Sequence, residues 1–213
     1  MTRTYLPGVI AMALIVVASN ILVQFLLLDG LLTWGAFTYP FAFLVTDVMN
    51  RLYGVAAARR VVFVGFIVGV LCSLIGTQIT LQGDGFEYQA VALRVAVGSG
   101  VAFLVAQLLD VAIFQRLREG AWWTAPLAST VIGSAVDTAL FFSIAFSGFI
   151  SLGAAADAEV SWALDVMPFL TFGSDAPLWV SLAVADWGVK LAIALVALVP
   201  FRMIVRHFSA SHA

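Results

Sequence analysis

Six ionisable side chains sit inside long apolar stretches of this chain: Asp47, Arg94, Asp110, Asp137, Asp186 and Lys190. A charge at the centre of a bilayer costs about 2.5–3.5 kcal/mol even on insertion scales, so such residues mark solute, ion or proton pathways. Spacing sorts them onto faces, because positions three, four or seven apart share one side of a helix. Asp186 and Lys190 are four apart and can pair, and Trp179 and Ala183 extend their face. Whether that pair only neutralises itself or also serves a solute is left open by spacing. Thr130, Gly133, Ser134 and Asp137 form a second stripe, and Ser99, Phe103, Ala106 and Asp110 a third, with Gln107 at its edge. Asn20 and Gln24 form a fourth. Turning these stripes towards a common centre is the simplest way to hide them from lipid. Asp137, flanked by small residues near the middle of its stretch, reads as functional. Asn20 and Gln24 serve equally well as interhelical hydrogen-bond glue, and Asp110 as a helix cap near Arg116. Asp47 and Asp110 fall towards helix ends, where water is expected close by. Gly98 and Gly100 read as close-packing positions.

The same inventory excludes several chemistries. The only histidines, His207 and His212, lie in the last seven residues, so no imidazole base is available at depth. The single Cys72 makes neither an internal disulfide nor a metal cluster. The stretch DVMNRLYGVAAARR has one Asp and lacks the further carboxylates that a two-metal headgroup transferase needs. Asp110 and Asp137 lack the glycine-flanked contexts of intramembrane aspartyl proteases. No Walker A sequence occurs. The chain is read as no enzyme, without metal or cofactor. One acid per stretch does not suggest the ring of a channel, which leaves a solute carrier or a solute-binding membrane subunit.

The elements that must position these residues are helices. Hydrophobic residues make up 63% of the 213 and charged residues 10%, with mean hydropathy +1.08, far from the roughly 25% charged of a soluble domain. Net charge is −2, which argues against nucleic acid as a partner. Apolar runs at 8–28, 31–49, 60–81, 90–114, 122–149 and 177–204 predict six membrane spans, since about 20 apolar residues cross a bilayer. The first run is too long and too bulky at its end for a signal peptide and reads as a retained span. Arg3, Arg51, Arg59, Arg60, Arg116, Arg118, Arg202 and Arg206 flank the spans on one side. Asp29, Asp84, Glu87, Asp157, Glu159, Asp165 and Asp175 lie on the other, with no Lys or Arg in those loops. The positive-inside rule then puts both termini in the cytoplasm. The predicted fold is all-α: one polytopic transmembrane domain over 1–213. The long 150–176 segment is expected outside, as an exposed loop or as a short interfacial helix or lid.

The ordered strings carry a resemblance. SNILVQF, TWGAFTYPFAFLVTDVMNRLYG followed by AARR, ALRVAVGSGVAFLVAQLLDVAIFQRLRE, WWTAPLASTVIGSAVDTALFFSIAF and ADWGVKLAIAL run through five of the spans. Together they resemble the bacterial queuosine precursor transporter family, within the vitamin-uptake-like transporters. The resemblance implies a multi-pass inner-membrane importer of 7-cyano-7-deazaguanine, with the 7-aminomethyl analogue as the other candidate. Its partners would be that small molecule and the lipid bilayer, with a homo-oligomer left open. Span three and the 150–176 loop resemble the family less, and Asn50 falls where its members vary. A deazaguanine shows donors beside a carbonyl, which a carboxylate and an Asn, Gln or Lys can serve; flat side chains can sandwich the ring. The substrate-binding candidates are therefore Asn20, Gln24, Trp34, Phe37, Tyr39, Asp47, Arg94, Phe103, Gln107, Asp110, Asp137, Asp186 and Lys190, with Phe141 a further stacking candidate. The alternative is a binding subunit that needs a separate ATPase module. Its only trace would be the alanine-rich GVAAAR at 54–59, expected in a loop.

Overall fold

The computed structural model describes residues 5–22, 26–27, 31–83 and 86–210. It is mostly helical. The order is α1 (Leu6–Leu22), β1 (Leu26–Leu27), β2 (Leu32–Thr33), α2 (Gly35–Thr38), α3 (Phe41–Tyr53) and α4 (Val55–Gly76). Then come β3 (Thr80–Gly83), β4 (Phe86–Gln89), α5 (Leu93–Leu117), α6 (Thr124–Phe146), α7 (Ala154–Ala158), β5 (Val166–Pro168), β6 (Asp175–Pro177) and α8 (Leu178–Ala210). Among the described residues, α4, α5, α6 and α8 are long and apolar enough to cross a membrane, and α1 is a shorter apolar helix.

The distribution of polarity is that of a protein solvated by lipid. Leu14, Ile75, Leu195 and Val196 stand exposed, whereas Thr46, Asp47, Asn50, Gln107, Asp110, Ser129, Ser134, Asp137 and Lys190 are buried. Hydrocarbon tolerates the apolar exterior, and ionisable groups turn to the bundle interior. α5 and α6 pack along their length because small residues line the seam. A Cβ on Gly98 would lie 3.2 Å from the Phe141 carbonyl and 3.3 Å from the Ala145 nitrogen. Gly98 is thus a packing position as expected, whereas Gly100 borders a cleft.

Several element expectations are corrected. The first helix is Leu6–Leu22 and not 8–28; the chain then pairs Leu26–Leu27 antiparallel with Leu32–Thr33. The second run is not one helix. Pro40 has no N–H to continue the ladder, so the backbone tightens to i→i+3 bonds, Ala42 N to Tyr39 O and Phe43 N to Pro40 O. α2 and α3 are the two arms of that break. The third helix is Val55–Gly76 and not 60–81, because Gly54, at φ +81, both ends α3 and starts α4. GVAAAR is therefore mostly the first turn of a helix, with Ala57 and Ala58 buried, and not a loop. Residues 80–83 belong to a hairpin with 86–89. The last three helices shift by a few residues from the expected 90–114, 122–149 and 177–204.

The all-α class expected from the sequence holds, and among the described residues three two-stranded antiparallel pairs lie between the helices. One of them lies in the 150–176 segment, which is a docked subassembly. Ala156, Val160 and Ala163 are buried in it, Trp162 meets Phe146 edge-on at 5.6 Å, and β5 pairs with β6.

Candidate functional site

The α6 stripe and the α8 pair converge. Lys190 on α8 sits 2.7 Å from Asp137 Oδ2 on α6 and 2.5 Å from Asp186 Oδ2 one turn before it on α8. Its Nζ also donates to Thr138 Oγ1 at 3.0 Å, and Thr138 donates to Asp186 Oδ2 at 3.0 Å. Asp137 accepts a second bond, from the Tyr39 hydroxyl at 2.9 Å. Tyr39 reaches it because the Pro40 break turns the chain at that residue, and its ring lies 5.5 Å from the Lys190 ammonium, within cation–π range. Two carboxylates thus share one ammonium in a nearly dry site, with side chains 4% exposed for Asp137 and Lys190 and 15% for Asp186.

Tyr39 also borders a narrow cleft with about 40 Å³ of free room, about 350 Å³ when the space open to the surface is counted. Val16, Asn20, Phe66, Ser73, Ser99 and Phe103 are among its other walls. Asn20 Oδ1 accepts from Ser73 Oγ at 3.5 Å, so α1 and α4 present a polar edge there. Phe103 meets Tyr39 edge-on at 6.1 Å. Flat rings with a few polar groups between them suit a small heterocycle.

A second polar cluster lies two turns along α6, roughly 10 Å from the first. Asp47 on α3 accepts Ser129 Oγ at 3.1 Å and Thr130 Oγ1 at 3.2 Å, and Asp110 on α5 faces it. Thr46 donates to Gln107 Oε1 at 2.6 Å, and Asn50 Nδ2 to the Val111 carbonyl at 3.0 Å. Asp47 and Asp110 are 2% and 0% exposed, which corrects the expectation of water close by. The stripes accordingly do not meet at one centre. The α6 stripe is shared between two clusters, and Asn20 of α1 faces the cleft.

The other candidates are scattered. Arg94 is buried, but its donors go to the Ile144 and Ser147 carbonyls and to Asp157, so it straps α5 to α6 and to the 150–176 segment. Trp34 and Phe37 are 50% and 37% exposed and line neither the cleft nor the clusters. Phe141 packs edge-on against Phe142 and Phe146. Gln24 lies outside the described residues. Spacing did not single out Thr138 as a ligand, because it neighbours Asp137 in sequence and neighbours point about 100° apart. Phe66 and Ser73 carry no charge and gave no signal.

The family described as "Putative vitamin uptake transporter" matches residues 33–205. This chain belongs to the vitamin uptake transporter family. An Escherichia coli relative named "Queuosine precursor transporter" is 40% identical over 142 residues, 62% of this chain and 64% of that protein. A Haemophilus influenzae relative, "Probable queuosine precursor transporter", is 37% identical over 177 residues, covering 79% of this chain and 66% of its own. A Bacillus subtilis protein of the same description is 27% identical over 180 residues, 78% and 68% of the two chains. This family member thus spans just under two thirds of the first two relatives it matches. No solved structure matches it.

Proposed function

We propose that this chain is a six-span importer of queuosine precursors in the bacterial inner membrane, a single transmembrane domain with both termini cytoplasmic. The observation that carries this reading is the Asp137–Lys190–Asp186 cluster, bounded by Tyr39 at the edge of an aromatic cleft. The names of the relatives supply the substrate class, queuosine precursors; 7-cyano-7-deazaguanine is the member of that class which the sequence resemblance implies. Each carboxylate oxygen has a second lone pair, so Asp137 can accept the N–H groups of a base without releasing Lys190. Phe103 and Phe66 offer the ring a flat wall. The span count is supported by length: α2 and α3 together cover 35–53, about 28 Å at 1.5 Å per residue, and α1 about 26 Å, near the ~30 Å hydrocarbon thickness. The ATPase-module alternative draws no support from the alanine-rich segment, whose Ala57 and Ala58 are packed inside.

The test is uptake of labelled 7-cyano-7-deazaguanine into proteoliposomes holding this chain alone. Accumulation above that of empty vesicles is expected. Binding without any translocation, relieved by an added ATPase module, would replace this reading with the binding-subunit one.

A further inference from the structure

The Asp47–Asp110 cluster is not needed to recognise a base in the cleft, yet it concentrates unusual chemistry. Two carboxylates from neighbouring helices face each other in a fully buried setting. Asp47 receives two hydroxyl donors, from Ser129 and Thr130. Neither oxygen of Asp110 receives a donor from any described residue, and Asn50 Oδ1 and Gln107 Nε2 at the same α3–α5 seam are also unpartnered. Among the described residues, no Lys or Arg forms an ion pair with either carboxylate. Arg51, one turn beyond Asp47 on α3, spends Nη1 on the Arg118 carbonyl; Lys190 on α8 is held by Asp137 and Asp186; α8 otherwise presents Ala194, Leu198 and Phe201 beside Asp47. The α4 residues buried in the neighbouring core, Ala57, Ala58, Val61 and Val62, are apolar.

Two facing carboxylates without a cation are not stable with both ionised in a low-dielectric interior. One must be neutral, and the donors decide which. Asp47 has the hydroxyls that suit an anion, whereas Asp110 receives none and, when protonated, can itself donate to Asp47. The geometry points to a second functional site: Asp47 and Asp110 together bind one exchangeable proton, carried on Asp110, and its loading and release is coupled to solute movement past Asp137 and Lys190. The coupling has a structural route. Thr130, which holds Asp47, and Asp137, which holds Lys190, lie on one face of α6. Asp110 also abuts Gly133 between them, where an added Cβ would lie 3.4 Å from the Asp110 Cβ. Losing the proton puts two like charges across the α3–α5 seam and drives those helices apart. The proton leaves as H⁺ to water on one side and is taken up from water on the other, so no further reactant is required.

The coupling half rests on the transport reading above; the proton site does not. Infrared difference spectroscopy of the full chain in lipid, titrated with pH, should show a protonated-carboxyl band that is lost in Asp110→Asn and retained in Asp137→Asn. Asp110→Asn mimics the neutral acid and should fold like the parent; an Asp110→Asn chain that fails to fold would contradict a neutral Asp110. In proteoliposomes, a pH gradient acid outside and alkaline inside should accelerate precursor uptake by the parent chain and leave Asp110→Asn unaffected. An unchanged carboxyl band in Asp110→Asn, a full pH-gradient response in that variant, or acceleration by a sodium gradient in place of a proton gradient would each overturn the proposal. Should the parent move no precursor under any gradient, the transport reading and the coupling fall together, and the infrared arm still decides the proton site.

Discussion

Lys190 is the residue on which the cluster's charge balance turns. Spacing along α8 shows only its pairing with Asp186, and a pair predicts that neutralising both partners restores folding. The structure adds Asp137 at 2.7 Å, so the double variant Asp186→Asn with Lys190→Met still strands one buried acid. Breaking a buried pair by removing one partner typically costs 3–5 kcal/mol. Lys190→Met alone should therefore be the least stable variant, the double variant only partly restored, and the triple variant with Asp137→Asn restored fully. Thermal unfolding in detergent, followed by size-exclusion chromatography, gives that order; a double variant as stable as the parent would show that Asp137 does not depend on Lys190. Asp137→Asn alone leaves Lys190 paired with Asp186, so it should fold. If Asp137 accepts two N–H groups of the base at about 1.5–3 kcal/mol each, binding should weaken tens- to thousands-fold, and near-parent affinity by calorimetry would leave Asp137 a structural role. The acids and the lysine were legible in the sequence because charge in an apolar run stands out. Tyr39 was legible as a ring but not as the donor to Asp137, since that contact joins residues 98 positions apart.

At the scale of elements, the break at Pro40 aims Tyr39. Proline in an apolar run predicts a kink, yet hydropathy smooths over it, so the sequence reads as one span where the structure has two short helices. Pro40→Ala restores the missing N–H and should straighten the junction, drawing Tyr39 away from Asp137. Insertion should be normal, and precursor affinity should fall by roughly tenfold or more, the worth of one hydrogen bond to a charged group. Equal affinity by tryptophan quenching would sink this role for the kink. The 150–176 segment shows a different limit of the sequence. Its mixed composition hides a docking device: Asp157 accepts Ser151 Oγ at 2.5 Å, the Leu152 N–H and Arg94, and Arg94 in turn holds the end of α6. The Ser151 hydroxyl leads in holding the Asp157 carboxyl below its ordinary value, with the Leu152 N–H and Arg94 adding to it. A depressed carboxylate contributes stability above its unfolded value of about 3.9 and loses it as pH falls through the folded value. The segment should thus undock only below about pH 4, seen as a change in Trp162 emission in a chain whose other tryptophans are replaced by Phe. Asp157→Asn should abolish that acid transition; its persistence would assign it to another group.

For the whole molecule, the two ends differ in charge and the contacts now group them. Arg51 reaches the Arg118 carbonyl, Arg202 lies 4.4 Å over the Trp122 ring, and Arg60 donates to the Tyr5 hydroxyl. These contacts gather the ends of α3, α5 and α8 with the starts of α1, α4 and α6. At the opposite end, Glu159 accepts the Leu93 N–H, the Asp165 carbonyl accepts the Leu178 N–H, and Asp157 takes Arg94, gathering the starts of α5 and α8 with the end of α6. Arg94 is the cation at that end, and it is buried and paired, so it adds no free positive charge to the surface. Loop charge sets orientation through exposed Lys and Arg, so in the proposed topology the Arg-rich end is cytoplasmic and the 150–176 segment outside. Ser161 is exposed on that segment and Arg59 is exposed at the other end. In a chain with Cys72 replaced by Ala, Ser161→Cys should react with a membrane-impermeant maleimide in intact cells, and Arg59→Cys only after permeabilisation. The reverse pattern would invert the molecule and move the acidic end to the cytoplasm. Labelling of both sites from outside would mean that the two ends do not lie on opposite faces of the membrane, and the six-span path would have to be redrawn through the broken α2–α3 segment.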